Sequence, residues 1–439
     1  MSSWTTTKLG EKIRVKHGFP FKSEYFAEKG DYVVLTPGNF YEAGGFKRNA
    51  EKDKCYSHTF PKDYLLNECD LIVAMTEQAE GLLGSTAKIP YDGKFLHNQR
   101  LGLITSTNGE LDLDFAFHLF KTKTVREQIR LSSSGSKVKH TSPDRIYDVQ
   151  VKLPPLPDQQ KIAKVLSTLD AKIELNNRIN GELEGMAKLL YDYWFVQFDF
   201  PMTAAQAATL GRPDLEGHPY KSSGGKMVFN PTLKREIPEG WEVKALEQVE
   251  PQIITGKTPS TSEPKNFGGE IPFICIGDVR GNMHVVETEL TLSKVGAELQ
   301  KKKFIPKGAI CVTCIASPGL IAFATKDSQT NQQLNSIVCK NEENRIFLYF
   351  YLGDYFKYAT GAKSGNTFAN MNKGDFSEIN VLVPENNLLI QFMEKVSSSD
   401  DLILNNQKQN QELTELRDWL LPMLMNGQVA IGVCTAANC

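Results

Sequence analysis

The stretch "PPLPDQQKIAKVLSTLDAKIELNNRINGELEGMAKLLYDYWFVQF", residues 154–198, decides the architecture. Its opening prolines cannot be helix interior, Asp158 offers an N-cap, and Gln159 and Gln160 fill a first turn, so the pattern predicts a helix starting here. Beyond it Ile162, Leu166, Leu169, Ile173, Asn176, Asn180, Leu183, Ala187, Leu190 and Trp194 alternate steps of four and three. That is the spacing of a coiled-coil seam. Two asparagines in such a seam need a partner that answers them, since an unpaired buried amide costs about 1 to 3 kcal/mol.

The chain supplies that partner. From Pro384, "PENNLLIQFMEKVSSSDDLILNNQKQNQELTELRDWLLPMLMNGQV" repeats the plan at a shift of 230 residues. Phe392, Val396, Ser399, Ile403, Asn406, Asn410, Leu413, Arg417, Leu420 and Leu424 take the corresponding places, with Asn176 mapping to Asn406 and Asn180 to Asn410. Two unrelated amphipathic helices would share the spacing but have no reason to share the asparagines. The pattern therefore predicts two paired helices, with the asparagines setting register at some expense in stability.

The 439 residues leave room for two to four domains, and a composition 41% hydrophobic and 23% charged is that of a soluble globular protein. No apolar run approaches a membrane span and "MSSWTTTKLGEK" lacks the apolar stretch of a signal peptide, so the expected location is the cytoplasm, with no membrane partner. Eight cysteines in so long a chain form no disulfide framework. Cys311 and Cys314 make a C-x-x-C, but it lies in the strand-like "AICVTCIA" with no second pair or histidine at ligand spacing, so buried thiols are expected and no metal. A formal net charge of -2 argues against a protein that coats nucleic acid through bulk charge. DNA binding would rest on local basic loops or on cations from other subunits.

Residues 1–153 read as a first globe of mixed α/β character. Strand-like runs "DYVVLTP" (31–37), "CDLIVAM" (69–75) and "LGLIT" (101–105) alternate with Gly, Asn and Lys loops, and a helix is expected over 113–131 with Phe115, Leu119, Val125 and Ile129 inward. Then "SSSGSKVKHTSPDRIYDVQV" (132–151) carries Lys137, Lys139 and His140 among small residues, as suits a loop meeting phosphates or base edges and also a solvated hairpin tip. Residues 154–199 are the first helix. Residues 200–240, rich in Ala, Gly, Pro and Ser, read as a linker with one short helix. A second globe, 241–383, echoes the first: Trp4 and Leu9 match Trp241 and Leu246, "LTPGN" (35–39) matches "ICIGD" (274–278), "NQRL" (98–101) matches "NQQL" (331–334), and "SGSKVKH" (134–140) matches "SGNTFAN" (364–370). The second helix covers 384–428, and 429–439 is a tail. A shared skeleton with divergent loops is what two copies of one scaffold reading different things would show.

Paired antiparallel, the helices would place the globes at opposite ends of a rod about 55 Å long, roughly one and a half turns of B-DNA. Parallel packing would bring both globes together, and the 200–240 segment is long enough to permit it.

The chain resembles the specificity subunit of Type I restriction-modification systems over nearly its full length. The resemblance is carried by "LPPLPDQQKIAKVLSTLDAKIELNNRI" with "LLYDYWFVQF", by the repeated globe-to-helix plan with "LVPENNLLIQF" opening the second copy, and by the loops "SSGSKVKH" and "KSGNTF" ahead of each proline-led helix. The second helix departs from the pattern, with "PENNLLIQF" in place of "PPLPDQQKI". The resemblance implies an α/β (mixed α+β) fold with an internal pseudo-twofold repeat: two target recognition domains separated by two long antiparallel helices forming a coiled coil. It also implies a bipartite asymmetric site on double-stranded DNA, two docked methyltransferase subunits, and restriction and motor subunits in a larger assembly. Those partners would supply the cations this chain lacks.

The candidate DNA contacts are then Arg100, Ser134, Gly135, Lys137, Lys139 and His140 in the first globe, and Gln333, Lys363, Ser364, Gly365, Asn366 and Thr367 in the second. Arginine or lysine would read guanine and asparagine or glutamine adenine. Asn176, Asn180, Asn406 and Asn410 are the helix-pairing candidates. A catalytic role is not expected. The only double proline, "LPPLP", starts a helix and lacks the acidic or amide residue followed by Pro-Pro-aromatic that an adenine methyltransferase needs; there is no Walker loop, and "GLLG" (81–84) is too weak for a cofactor motif, so no cofactor is expected. The alternative reading is a coiled-coil scaffold, or a DNA-reading adaptor of another defence complex.

Overall fold

The computed structural model describes residues 4–48, 52–77, 81–361, 370–429 and 431. The chain forms two compact units, residues 1–172 with 413–439, and residues 173–412.

In the first unit a four-stranded antiparallel sheet runs in the order Ile13–His17, Leu101–Ser106, Leu71–Ala74, Thr86–Lys88. The central Leu71–Ala74 strand is buried on both faces, which is why "LIVA" is a continuous apolar run instead of an alternating one. A second four-stranded sheet contains Tyr32–Val34, paired in parallel with Phe95–Leu96. Phe115, Leu119, Val125 and Ile129 all reach the core. The helix expected over 113–131 is two helices, Leu113–Leu119 and Lys123–Leu131. The break falls where the Thr122 hydroxyl donates to Leu119 O at 2.7 Å and closes the first helix locally. The same core takes Ile162 and Leu166 from the first long helix and Leu424 and Met425 from the second.

The second unit repeats the sheet order with one strand added: Ile253–Thr255, Leu334–Ile337, Ile310–Thr313, Ile321–Ala324, then His284–Val285 in parallel. Its core gathers Phe347 and Phe350 from the helix Glu342–Gly361 with Trp194 and Phe195 from the helical turn Asp192–Val196 that continues the first long helix, and Phe392 and Val396 from the second. Residues 200–240 fold onto this core. The short helix is Ala204–Thr209, and a hairpin pairs Met227–Asn230 with Arg235–Pro238. Phe200, stacked between Tyr220 and Trp241, is buried there, an anchor that the surrounding Ala, Gly and Pro conceal from a composition reading.

In each unit one strand pair closes the globe: Thr5–Lys8 with Gln150–Leu153, and Glu242–Ala245 with Asn380–Val383, both antiparallel. The closing strand leads directly into a long helix, Leu156–Tyr191 in the first case and Asn386–Met425 in the second. The first starts before Asp158, which lies in its first turn and does not cap it. Pro157 occupies a starting position where its missing N–H costs nothing. All ten seam positions in each helix are buried or half-buried. The helices are antiparallel: in the second unit Asn176 meets Asn410 while Asn180 meets Asn406, and in the first unit Asp170 meets Arg417.

Candidate nucleic-acid interface

The site is built where three strand ends and one loop converge in the first unit, and the strand-end and turn part of it recurs in the second. In the first unit the strand Ile13–His17 ends at Gly18, whose N–H donates to Leu101 O at 3.2 Å. A Cβ there would lie 2.0 Å from Asn98 O, so only glycine lets the two chains approach. The next residue, Phe19, donates to His97 O at 2.8 Å. Asn98 then turns the chain: its Oδ1 accepts from Arg100 N at 3.1 Å and its carbonyl from Leu101 N at 2.9 Å. This turn presents Gln99 and Arg100 to solvent. Met75 N donates to Arg100 O at 3.0 Å, and Thr141 N to Met75 O at 2.9 Å, which lays the 132–141 loop beside the turn.

The second unit reproduces this main-chain framework. Gly256 N donates to Leu334 O at 3.1 Å, Lys257 N to Thr330 O at 2.9 Å, Leu334 N to Asn331 O at 3.2 Å, Cys314 N to Gln333 O at 2.8 Å, and Met371 N to Cys314 O at 2.9 Å. Asn331 Oδ1 accepts from Gln333 N at 3.0 Å, and a Cβ on Gly256 would lie 2.1 Å from Asn331 O. Arg100 and Gln333 are therefore equivalent, as "NQRL" and "NQQL" predict.

In the first unit His17, Thr76, Gln99, Arg100, Val138 and His140 line a cavity of about 650 Å³. His140 Nδ1 lies 3.3 Å from Thr76 Oγ1, and Lys139–His140 pairs with Thr76–Glu77. Ser134 and His140 exchange main-chain hydrogen bonds, and Gly135 between them has φ +99° with Val138 O 2.0 Å from where a Cβ would stand. Ser134, Gly135, Lys137 and His140 are exposed and Lys139 half-buried. The loop has a clamp that sequence reasoning missed: Arg145 Nη1 donates to Ser134 Oγ at 2.9 Å and to His140 O at 3.1 Å. In the second unit Lys363, Ser364, Gly365, Asn366 and Thr367 lie outside the described residues. At Asn370 the chain bridges to Ile315 as His140 does to Thr76.

The asparagine layer is a network. Asn176 Nδ2 donates to Asn410 Oδ1 and Gln409 Oε1, Asn406 Nδ2 to Asn180 Oδ1, and Asn410 Nδ2 to Asn177 Oδ1, each at 2.8 Å.

Two carboxylates fasten helix to globe. Asp170 accepts from Lys121 Nζ at 3.0 Å and from Arg417 Nη1 at 2.9 Å. Asp400, at the same place in the repeat, accepts from Arg345 Nη2 at 2.6 Å and has His284 Nε2 at 2.8 Å. Burial opposes ionisation of both. Even so, Lys121 and Arg417 hold Asp170, and His284 and Arg345 hold Asp400, below the ordinary carboxylate range. The seam pattern records apolar positions and is blind to them, although the shift of 230 superposes one on the other.

The Cys311 and Cys314 thiols are buried, and burial pushes them up to about 12 and about 11, which makes them inert side chains of a strand end. Among the described residues no group of His, Cys, Asp or Glu is placed to hold a metal, and no helix is long and apolar enough to cross a membrane.

A family model described as Type I restriction modification DNA specificity domain matches residues 1–185 and 238–415. The specificity subunit of the Type I restriction enzyme HindI of Haemophilus influenzae is 35% identical over 356 residues, covering 72% of this chain and 77% of that protein. The MjaIX specificity subunit of Methanocaldococcus jannaschii is 26% identical over 423 residues, 92% of this chain and 88% of that one. The crystal structure of a Type I restriction-modification S subunit from M. genitalium superposes with a TM-score of 0.56 at 16% identity, covering 97% of this chain and 96% of that one.

Proposed function

The chain belongs to the Type I restriction-modification DNA specificity family, and from that premise we propose that it reads a bipartite asymmetric site on double-stranded DNA, one half-site per globe. Residues 1–153 and 241–383 would be the target recognition domains, and 154–199 and 384–428 the helices that set the gap between half-sites. The observation that carries the reading is the duplicated Asn-Gln turn framework with different side chains on it: one scaffold, two inscriptions. Arg100, Ser134, Gly135, Lys137, Lys139 and His140 would face one half-site. Gln333 with Lys363, Ser364, Gly365, Asn366 and Thr367 would face the other, with phosphate contacts positioning and base contacts specifying.

The chain itself is non-catalytic in this reading, and methyl transfer and cleavage belong to modification and restriction subunits that it recruits. Docking of two modification subunits is supported by apolar side chains left exposed at equivalent places on the helices. Met186 and Leu189 are 66% and 68% exposed, and the shift of 230 carries them to Leu416 and Trp419, 43% and 57% exposed. The same patch occurring twice suits two copies of one partner.

Methylome sequencing of the host with and without the gene tests the proposal. Loss of one bipartite methylated motif is the expected result, and an unchanged set of motifs would favour a helical scaffold without a DNA role.

A further inference from the structure

Five positions around the Asn-Gln turn are equivalent in the two units by their main-chain hydrogen bonds and strand pairings. They hold His17, Thr76, Gln99, Arg100 and His140 in the first and Thr255, Ile315, Gln332, Gln333 and Asn370 in the second. Four of the five differ. Gln99 and Gln332 alone agree, and the fold gives no reason for that agreement. The neighbouring identities are each explained by structure: the paired glycines by the close approach of a carbonyl, Asn98 and Asn331 by the hydrogen bond that shapes the turn, and Leu101 and Leu334 by complete burial. The two glutamines, by contrast, are exposed. Gln99 has no side-chain partner among the described residues, and Gln332 is met at the turn's edge by the Thr258 hydroxyl at 2.6 Å. An exposed side chain with no structural task common to the two units, kept while the residues around it diverge, points to a ligand common to both sites.

We infer that Gln99 and Gln332 are the constant readers of the two half-sites, each contacting an adenine at the corresponding place, while the next residue makes the halves differ. The carboxamide matches the N6 donor and N7 acceptor of adenine in the major groove. Arg100 offers the fork that guanine accepts. Gln333, with a single amide nitrogen in place of a guanidinium, does not. The inference rests on the bipartite reading and adds to it a fixed A·T pair in each half-site, flanked by a variable one.

The test uses the full chain assembled with its modification subunits, with Gln99→Ala, Gln332→Ala and Arg100→Gln made singly and the methylated sites sequenced. Gln99→Ala is expected to relax one A·T pair of the first half-site, and Gln332→Ala one A·T pair of the second, at matching distances from the gap. Each should lose roughly tenfold to a hundredfold discrimination at that pair. Arg100→Gln should alter only the pair adjacent to the first. Continued recognition at the untouched half-site shows that each variant is folded and assembled. An unchanged motif, or relaxation at pairs other than A·T or at unmatched distances, overturns the inference and leaves the bipartite reading standing. A wild-type complex that methylates no bipartite motif removes both.

Discussion

Asn176 donates to Asn410 across 2.8 Å, and the 230-residue repeat turns that bond into its companion, Asn406 to Asn180, also at 2.8 Å. The two helices thus meet through a contact that is its own image, which is how an isologous interface works, here folded into a single chain. Only one alignment of the helices satisfies both bonds together.

Replacing Asn176 with Leu takes the donor from the half-buried Asn410 Oδ1, while Asn410 Nδ2 keeps Asn177, and is expected to cost about 1 kcal/mol in denaturant unfolding. Leucine at 176, 180, 406 and 410 together should instead raise the thermal midpoint and blur the gap in the methylated motif, because an apolar seam no longer penalises a slipped alignment. A quadruple variant that is less stable and keeps a single gap would contradict this.

Asp400→Ala leaves Arg345 and His284 facing a buried vacancy, with Asp400 itself only 6% exposed. Loss of about 3 kcal/mol is expected by equilibrium unfolding, while Asp400→Asn, which still accepts a hydrogen bond, should lose less. Equal losses from the two variants would deny the charge any part.

Acid should loosen the first unit well above the carboxylate range. Burial lowers His97 to about 4 and His118 to about 3. The unfolded chain therefore takes up protons near pH 6.5 that the folded chain refuses. Their contribution is whole above that value and is lost as pH falls toward the folded values, up to about 3 kcal/mol for His97. The midpoint should drop between pH 7.5 and pH 5, and less so in His118→Asn. Asp170 and Asp400, with lowered pKa values, lose their contribution only at lower pH, as it falls through the carboxylate range. A midpoint flat from pH 7.5 to 5 would refute the assignment.

Arg145→Ala removes the two side-chain hydrogen bonds that brace Ser134 and His140 and leaves them only their main-chain pair, so the loop gains freedom that DNA binding must take away again. Affinity for the first half-site should fall roughly tenfold, while the second half-site is read as before. Loss at both half-sites would mean the effect is not local.

What the sequence disclosed follows the range of the interactions involved. The seam was legible because a 3.5-residue period and two repeated asparagines are local marks, and Arg100 and Gln333 surfaced through the shared "NQ" dipeptide. Asp170 and Asp400 were not legible: each is a polar residue beside the apolar seam, and its meaning comes from Lys121 or Arg345, brought in from another part of the chain. His17 and Arg145 reach the candidate interface from a strand and a helix far apart in sequence. The break between Leu119 and Lys123 turned on one threonine hydroxyl inside an otherwise helical pattern.

The strands Thr5–Lys8 and Gln150–Leu153, like Glu242–Ala245 and Asn380–Val383, make each globe begin and end at a single doorway. A head mounted through such a doorway can be exchanged for another of the same mounting without recutting the beam behind it. A new target would then require only a new head, while the measure between targets is inherited unaltered.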